Sequence, residues 1–237
     1  MEELLAILGI VGFVYAAVTL ATYTNTVRMA EVSLMLYPNA EPPQDADEWA
    51  ANNDFKFIGN YIIKTGATDC LISAWKRLDR PTSFCRYVVS NKNKSKTTHD
   101  LTTIFAHHIG LTTCDTMDGN LFPAFPGSYK QSFSNISLDH LWAHHIEMEN
   151  YLMDKGKAQL LERDVSFEQD FNEATQKQIK FIRSLPFWPF RGAYWYFIRR
   201  RIWHNKSIKT QHEKGMIKLP NEISEEIRQL CDFINRS

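Results

Sequence analysis

An α+β domain hung from a single N-terminal membrane helix is the architecture this sequence predicts, on three observations. Leu4–Tyr23, LLAILGIVGFVYAAVTLATY, is twenty residues without a charge. Residues 55–114 alternate apolar and polar side chains between short turns, as strands do. Residues 137–237 then place apolar residues three and four apart, as helices do. Strands followed by helices give an antiparallel β-meander of about four strands, packed by C-terminal helices. The divisions are 1–36 for the membrane helix and its extension, 37–54 for an acidic, proline-containing linker, and 55–237 for the domain.

A helix rises 1.5 Å per residue, so Leu4–Tyr23 covers about 30 Å, the thickness of a bilayer's hydrocarbon core. A cleaved signal peptide wants a basic start and a short apolar core, but this chain opens Met1-Glu2-Glu3 and the run is long. A core helix of a soluble protein would keep one polar face, and this run is apolar all round. Gly12 and Ala16, and Ala17 and Ala21, are pairs of small residues four apart, a spacing that lets membrane helices self-associate. Arg28 is the one basic residue near either end of the span, which favours a cytoplasmic C-terminal domain.

Val27–Leu36 continues the helix until Pro38 stops it. Residues 37–54 hold three prolines and Trp49, a candidate anchor onto the domain. Strands are expected at Phe55–Lys64, Cys70–Leu78 and Ser83–Val89, with Leu71, Ser73, Trp75 and Arg77 on one face of the second. Asn91–Thr98 reads as a polar hairpin loop, and Leu101–Cys114 as a fourth strand, or two with a break at Gly110. Short connections without a crossover helix make the sheet antiparallel. Residues 115–136 form a long loop whose Phe122, Phe125, Tyr129 and Phe133 pin it to the sheet. Ser137 caps a helix over Leu138–Met153. Phe167, Phe171, Ala174, Gln178, Phe181 and Leu185 mark the buried stripe of a second, which Pro186 and Pro189 end. Phe190–Trp203 and Glu222–Asn235 complete the set.

Lys plus Arg and Asp plus Glu both number 27, and that neutrality argues against nucleic acid as a partner. The four cysteines, Cys70, Cys85, Cys114 and Cys231, lack zinc-site spacing and read as buried apolar residues or as two disulfides. His140 and His144 are four apart and Glu147 is three further on, so all three share a helix face. That set is a candidate site for zinc or iron in a membrane-tethered metal-dependent enzyme, although it lacks the Glu of H-E-x-x-H. His107 and His108 are mid-strand, and Cys114 is too far along it for a dyad. Ser128 is not in a nucleophile elbow, and no glycine-rich phosphate loop is present.

Phe187–Trp203, FWPFRGAYWYFIRRRIW, mixes aromatics with arginines. It is too short and too charged for a second span, and its composition suits a helix lying on the bilayer surface. Trp188, Arg191, Trp195, Arg199, Arg200, Arg201 and Trp203 are the candidate interface residues; an aromatic core helix with a basic end is the alternative. The reading as a whole is a binding or scaffolding module at the membrane surface. Its partners are the bilayer and either a protein ligand or a second copy joined through the membrane helix, and no cofactor is required.

Overall fold

The computed structural model describes residues 2–38, 40–64, 69–91, 94–107, 109–120, 122–161 and 166–223. Helix α1 runs Glu2–Glu31. It stops short of the expected Leu36, and Met35–Tyr37 forms strand β1, paired antiparallel to β2 (Phe55–Lys64). The pairing supplies partners for backbone groups that β2 would otherwise leave open along its edge. Inside the expected linker, Gln44–Asn52 is a helix, α2. Pro42 and Pro43 precede it, Asp45 and Asp47 lie in its first turn where the helix dipole favours acids, and Ala46 and Ala50 are buried four apart. Trp49 anchors it, with ring centroids 6.0 Å from Phe55 and 4.8 Å from Phe84 and an Nε1–H that donates to Asp139.

The fold is α+β, but the sheet has seven strands rather than about four, laid side by side in sequence order. After β2 come β3 (Asp69–Arg77), β4 (Thr82–Asn91), β5 (Lys94–Phe105), β6 (Ile109–Cys114) and β7 (Ser128–Ser132). Neighbours are antiparallel except β6 and β7, which are parallel, so the sheet is mixed. Parallel neighbours need a connection of about a dozen residues. Residues 115–127, with a 3₁₀ turn at Met117–Asn120, are that connection, which accounts for the length of the loop. The expected break at Gly110 falls earlier, where His107 takes a positive φ of 59° between β5 and β6. The expected loop Asn91–Thr98 is mostly ladder, since Asn91 pairs with Lys94. Ser95–Thr97 are exposed, and there backbone hydrogen bonds hold the strands without apolar contacts.

Helices cover both faces. On one lie α2, α3 (Leu138–Asp154) and α7 (Ile208–Glu213). Trp75, Phe84, Leu101 and Leu141 form one cluster there, and Phe105, Leu111, Met148, Leu152 and Ile208 another. On the other lies α4 (Phe167–Ser184), with Phe167 and Phe171 against Tyr61, Ile72 and Cys85. Ser137 and Ser166 cap α3 and α4 through their side-chain oxygens. A continuous helical segment follows: α5 (Trp188–Tyr194), a π turn (Trp195–Arg199) and α6 (Arg200–Trp203). Cys70, Cys85 and Cys114 are free thiols. Cys231 and nearly all of the expected helix Glu222–Asn235 lie outside the described residues.

Candidate membrane interface

From Glu2 to Val14, α1 is exposed on every side, and the domain first touches it at Tyr15. Its stretch Glu2–Arg28 is long and apolar enough to cross a membrane, and its most apolar eighteen residues have no buried position. Two of its polar side chains bond back to the helix: Thr24 Oγ1 donates to Leu20 O and Thr26 Oγ1 to Thr22 O, each at 2.9 Å.

Helix α5 docks on the domain-proximal half of α1. Tyr15 stacks on Phe190 and Tyr23 on Trp188, with centroids 5.6 and 5.2 Å apart. The Tyr15 hydroxyl donates to Phe190 O. Gly192 lies at the crossing: a Cβ there would meet Thr22 Cγ2 at 2.6 Å, so a larger residue would have to displace the Thr22 side chain. Gly12 has open space around it, and Ala16, Ala17 and Ala21 are exposed. The close helix contact within the chain therefore uses a different small residue. Helix α4 holds the α1 end as well, through Gln176 Nε2 to Ala30 O and Leu34 N–H to Asn172 Oδ1.

The α5–α6 segment is two-faced. Gly192, Ala193, Trp195 and Trp203 are buried, with the two tryptophan rings 5.3 Å apart. Phe187, Phe190, Tyr194, Ile198 and Ile202 are exposed, from 45% at Ile202 to 80% at Phe187. Four-residue steps would drift around an ideal helix. The π turn over Trp195–Arg199 under-winds the backbone and keeps these residues in one stripe. Of the arginines, Arg191 and Arg201 are exposed. Arg199 lies over the Trp203 ring at 5.5 Å, and Arg200 lies 3.7 Å over Tyr196 and pairs with Asp118 at 3.4 Å. Trp188 is half-buried against Tyr23. The expected interface residues are tryptophans and arginines, whereas the outward apolar stripe consists of Phe, Tyr and Ile at steps of three, four, four and four.

Charge is as segregated as polarity. From Ala174 to His212 there is no Asp or Glu, but nine basic residues: Lys177, Lys180, Arg183, Arg191, Arg199, Arg200, Arg201, Lys206 and Lys209. The chain's zero net charge conceals this tract.

The His140–His144–Glu147 face does not converge. His140 Nδ1 pairs with Ser137 Oγ, His144 stacks on Phe133 at 4.6 Å, and His144 Nδ1 is 3.8 Å from Glu147. Among the described residues no group of three His, Cys, Asp or Glu is placed to hold a metal ion. His107 sits at the turn and His108 lies outside the described residues. The Cys114 thiol donates to the Thr116 and Gln131 carbonyls, and burial pushes its pKa up to about 12, far from a reactive thiolate.

A buried polar chain runs between α3 and the sheet. Arg80 pairs with Glu149 at 2.9 Å; Glu149 accepts from Thr103 at 2.8 Å; Thr103 meets His145 Nε2 at 2.8 Å; and His145 Nδ1 meets Thr113 at 2.9 Å. Gln131 bonds Thr113 and accepts from Ile208 N. Burial first, and then Arg80, hold the His145 pKa down at about 3, so its imidazole is neutral and its two nitrogens serve two hydroxyls.

Across the sheet, Asp100 Oδ1 is shut off from solvent without a hydrogen-bond partner among the described residues. Burial pushes its carboxyl up to about 7, against a hydrogen bond from Tyr87 that favours the anion. A raised acid stabilises the fold fully below its unfolded pKa and loses that contribution as pH rises through the folded one. Asp100→Asn should therefore gain on the parent by about 2–4 kcal/mol between about pH 4 and about pH 8, read from urea melts in detergent at the two pH values. His145 contributes the opposite slope, losing stability as pH falls from 6.5 toward 3, and it cancels in the comparison. A constant difference between parent and variant would mean that Asp100 is solvated.

No protein-family model, curated protein or solved structure matches this chain.

Proposed function

We propose that this protein is a single-pass membrane module. On this reading α1 crosses the bilayer, and the α+β domain is held at the cytoplasmic face as a binding or scaffolding surface. The observation that carries the reading is the pairing of a bare apolar α1 with a domain helix, α5, docked directly on its base. A tether needs no such contact. A module that must present one face to its partners does, because docking fixes the domain's attitude to the membrane. Orientation rests on Arg28, the one basic residue near either end of the span, because basic residues near a span's end stay in the cytoplasm.

The test uses the full chain in cells. The parent should remain in the membrane pellet after alkaline carbonate extraction, and the double variant Leu8→Asp/Val11→Lys should move to the supernatant, since each mid-span charge opposes insertion by about 3 kcal/mol. Externally added protease should cut the domain only after the cells are opened. Release of the parent by carbonate, or cleavage in intact cells, would refute the span or its direction respectively.

A further inference from the structure

We propose that the α5–α6 segment is itself sunk into the leaflet from which α1 emerges, with acyl chains against its apolar stripe and anionic lipid headgroups around its arginines. This rests on the reading of α1 as a span.

Depth carries the first part. Phe190 stacks on Tyr15, which lies eight residues before the apolar run ends at Tyr23. At 1.5 Å per residue that contact is about 12 Å inside the end of the span. If α1 crosses the bilayer, the element packed there enters the near leaflet with it. That element is α5, which meets α1 between Tyr15 and Tyr23.

What α5 and α6 expose there is suited to lipid. Phe187, Phe190, Tyr194, Ile198 and Ile202 continue the apolar surface of α1 through the Tyr15–Phe190 stack. Phe187, the most exposed of them, stands at the turn between α4 and α5 with φ at 53°, a strained conformation that aims a large ring outward. Arg191 and Arg201 flank the stripe, with Lys180 and Arg183 exposed on α4. Long basic side chains keep their heads at the phosphate level while their stems lie in the apolar zone. A second copy of the chain fits less well, because its own arginines would be brought against these.

Spin labels separate the outcomes. Single cysteines replace Val11, Phe190, Ile198 and Leu78 in a chain with Cys70 and Cys231 changed to serine. Each protein is labelled with a nitroxide and reconstituted in vesicles of phosphatidylcholine and phosphatidylserine. Oxygen concentrates among acyl chains and a nickel chelate stays in water, so relaxation by each reports the surroundings. Leu78, 84% exposed on the β3–β4 turn, is the aqueous reference. The expected result is a reversal of preference: nickel over oxygen at Leu78, and oxygen over nickel at Phe190, Ile198 and Val11. Oxygen preference at Val11 with nickel preference at Phe190 and Ile198 would overturn the immersion and leave the span standing. Nickel preference at Val11 would overturn the span. Shielding of Phe190 and Ile198 from both agents would mean that protein covers the stripe, and would equally overturn contact with lipid.

Discussion

Trp75→Ala is expected to destabilise the domain by about 3–5 kcal/mol. The side chain is fully buried near the C-terminal end of β3, with ring centroids 5.4 Å from Phe57 and 5.1 Å from Phe84. Truncation leaves a cavity the size of an indole among other rings, which cannot collapse into it without leaving their rotamers. It also removes the Nε1–H that donates to Asp47 Oδ1 at 2.8 Å, a polar link between the sheet and α2. Trp75→Phe separates the two contributions: it keeps much of the apolar volume and loses the hydrogen bond, at a cost of about 1–2 kcal/mol. Denaturant melts of the three proteins measure both steps. Hydrogen exchange should rise in α2 for either variant. An unchanged melt for Trp75→Ala would show that α2 and the rings around Trp75 do not form the core described.

Arg80→Ala should cost about as much, roughly 3–5 kcal/mol, for an electrostatic reason. The Glu149 carboxylate is wholly buried, and Arg80, itself only partly covered, is its sole ion-pair partner among the described residues. Thr103 and Thr82 reach the other carboxylate oxygen at 2.8 and 3.5 Å, but hydroxyls do not neutralise a charge. Removing the guanidinium leaves an anion in a low-dielectric interior. Adding Glu149→Gln to Arg80→Ala removes that anion and should restore most of the loss, which simple deletion of contacts would not. A double variant as unstable as Arg80→Ala would assign the effect to lost packing of the arginine stem.

What was legible in the sequence follows burial. The first strand, Phe55–Lys64, and the Ser137 cap stand where alternation and capping chemistry place them. The α4 stripe is met only in part: Phe181 is buried and Phe167, Phe171, Gln178 and Leu185 are half-buried, but Ala174 is exposed and the buried Ile179 and Ile182 lie outside the stripe, because α4 packs on the sheet at one end and on Phe125 at the other. Strand β7, Ser128–Ser132, escaped notice because two of its three buried positions, Gln131 and Ser132, are polar. Gln131 and Ser132 are satisfied by Thr113, Ile208 N and His204, none of them near in sequence. Helix α2 was hidden for a related reason: its buried residues are two alanines, and apolarity that slight does not register against prolines and acids. At the interface, composition pointed to Phe187–Trp203. Which of its residues face outward depended on the π turn, whose extra residue no periodicity rule anticipates. The acid-free tract was visible in the letters alone, but a whole-chain charge sum erases it.

The order of the sheet has a consequence for how the molecule is made. Strands laid down in sequence order pair with their immediate predecessors, so the sheet can grow as a chain leaves the ribosome, each new strand finding its neighbour already in place. The contact between Tyr15 and Phe190 is different. It joins residues 175 apart, the first helix to one of the last. Until residues 167–203 are made, α1 has neither α4 nor α5 to dock against. Their arrival latches the domain to α1, so the bearing of the one on the other is set only late in translation, after the strands are complete.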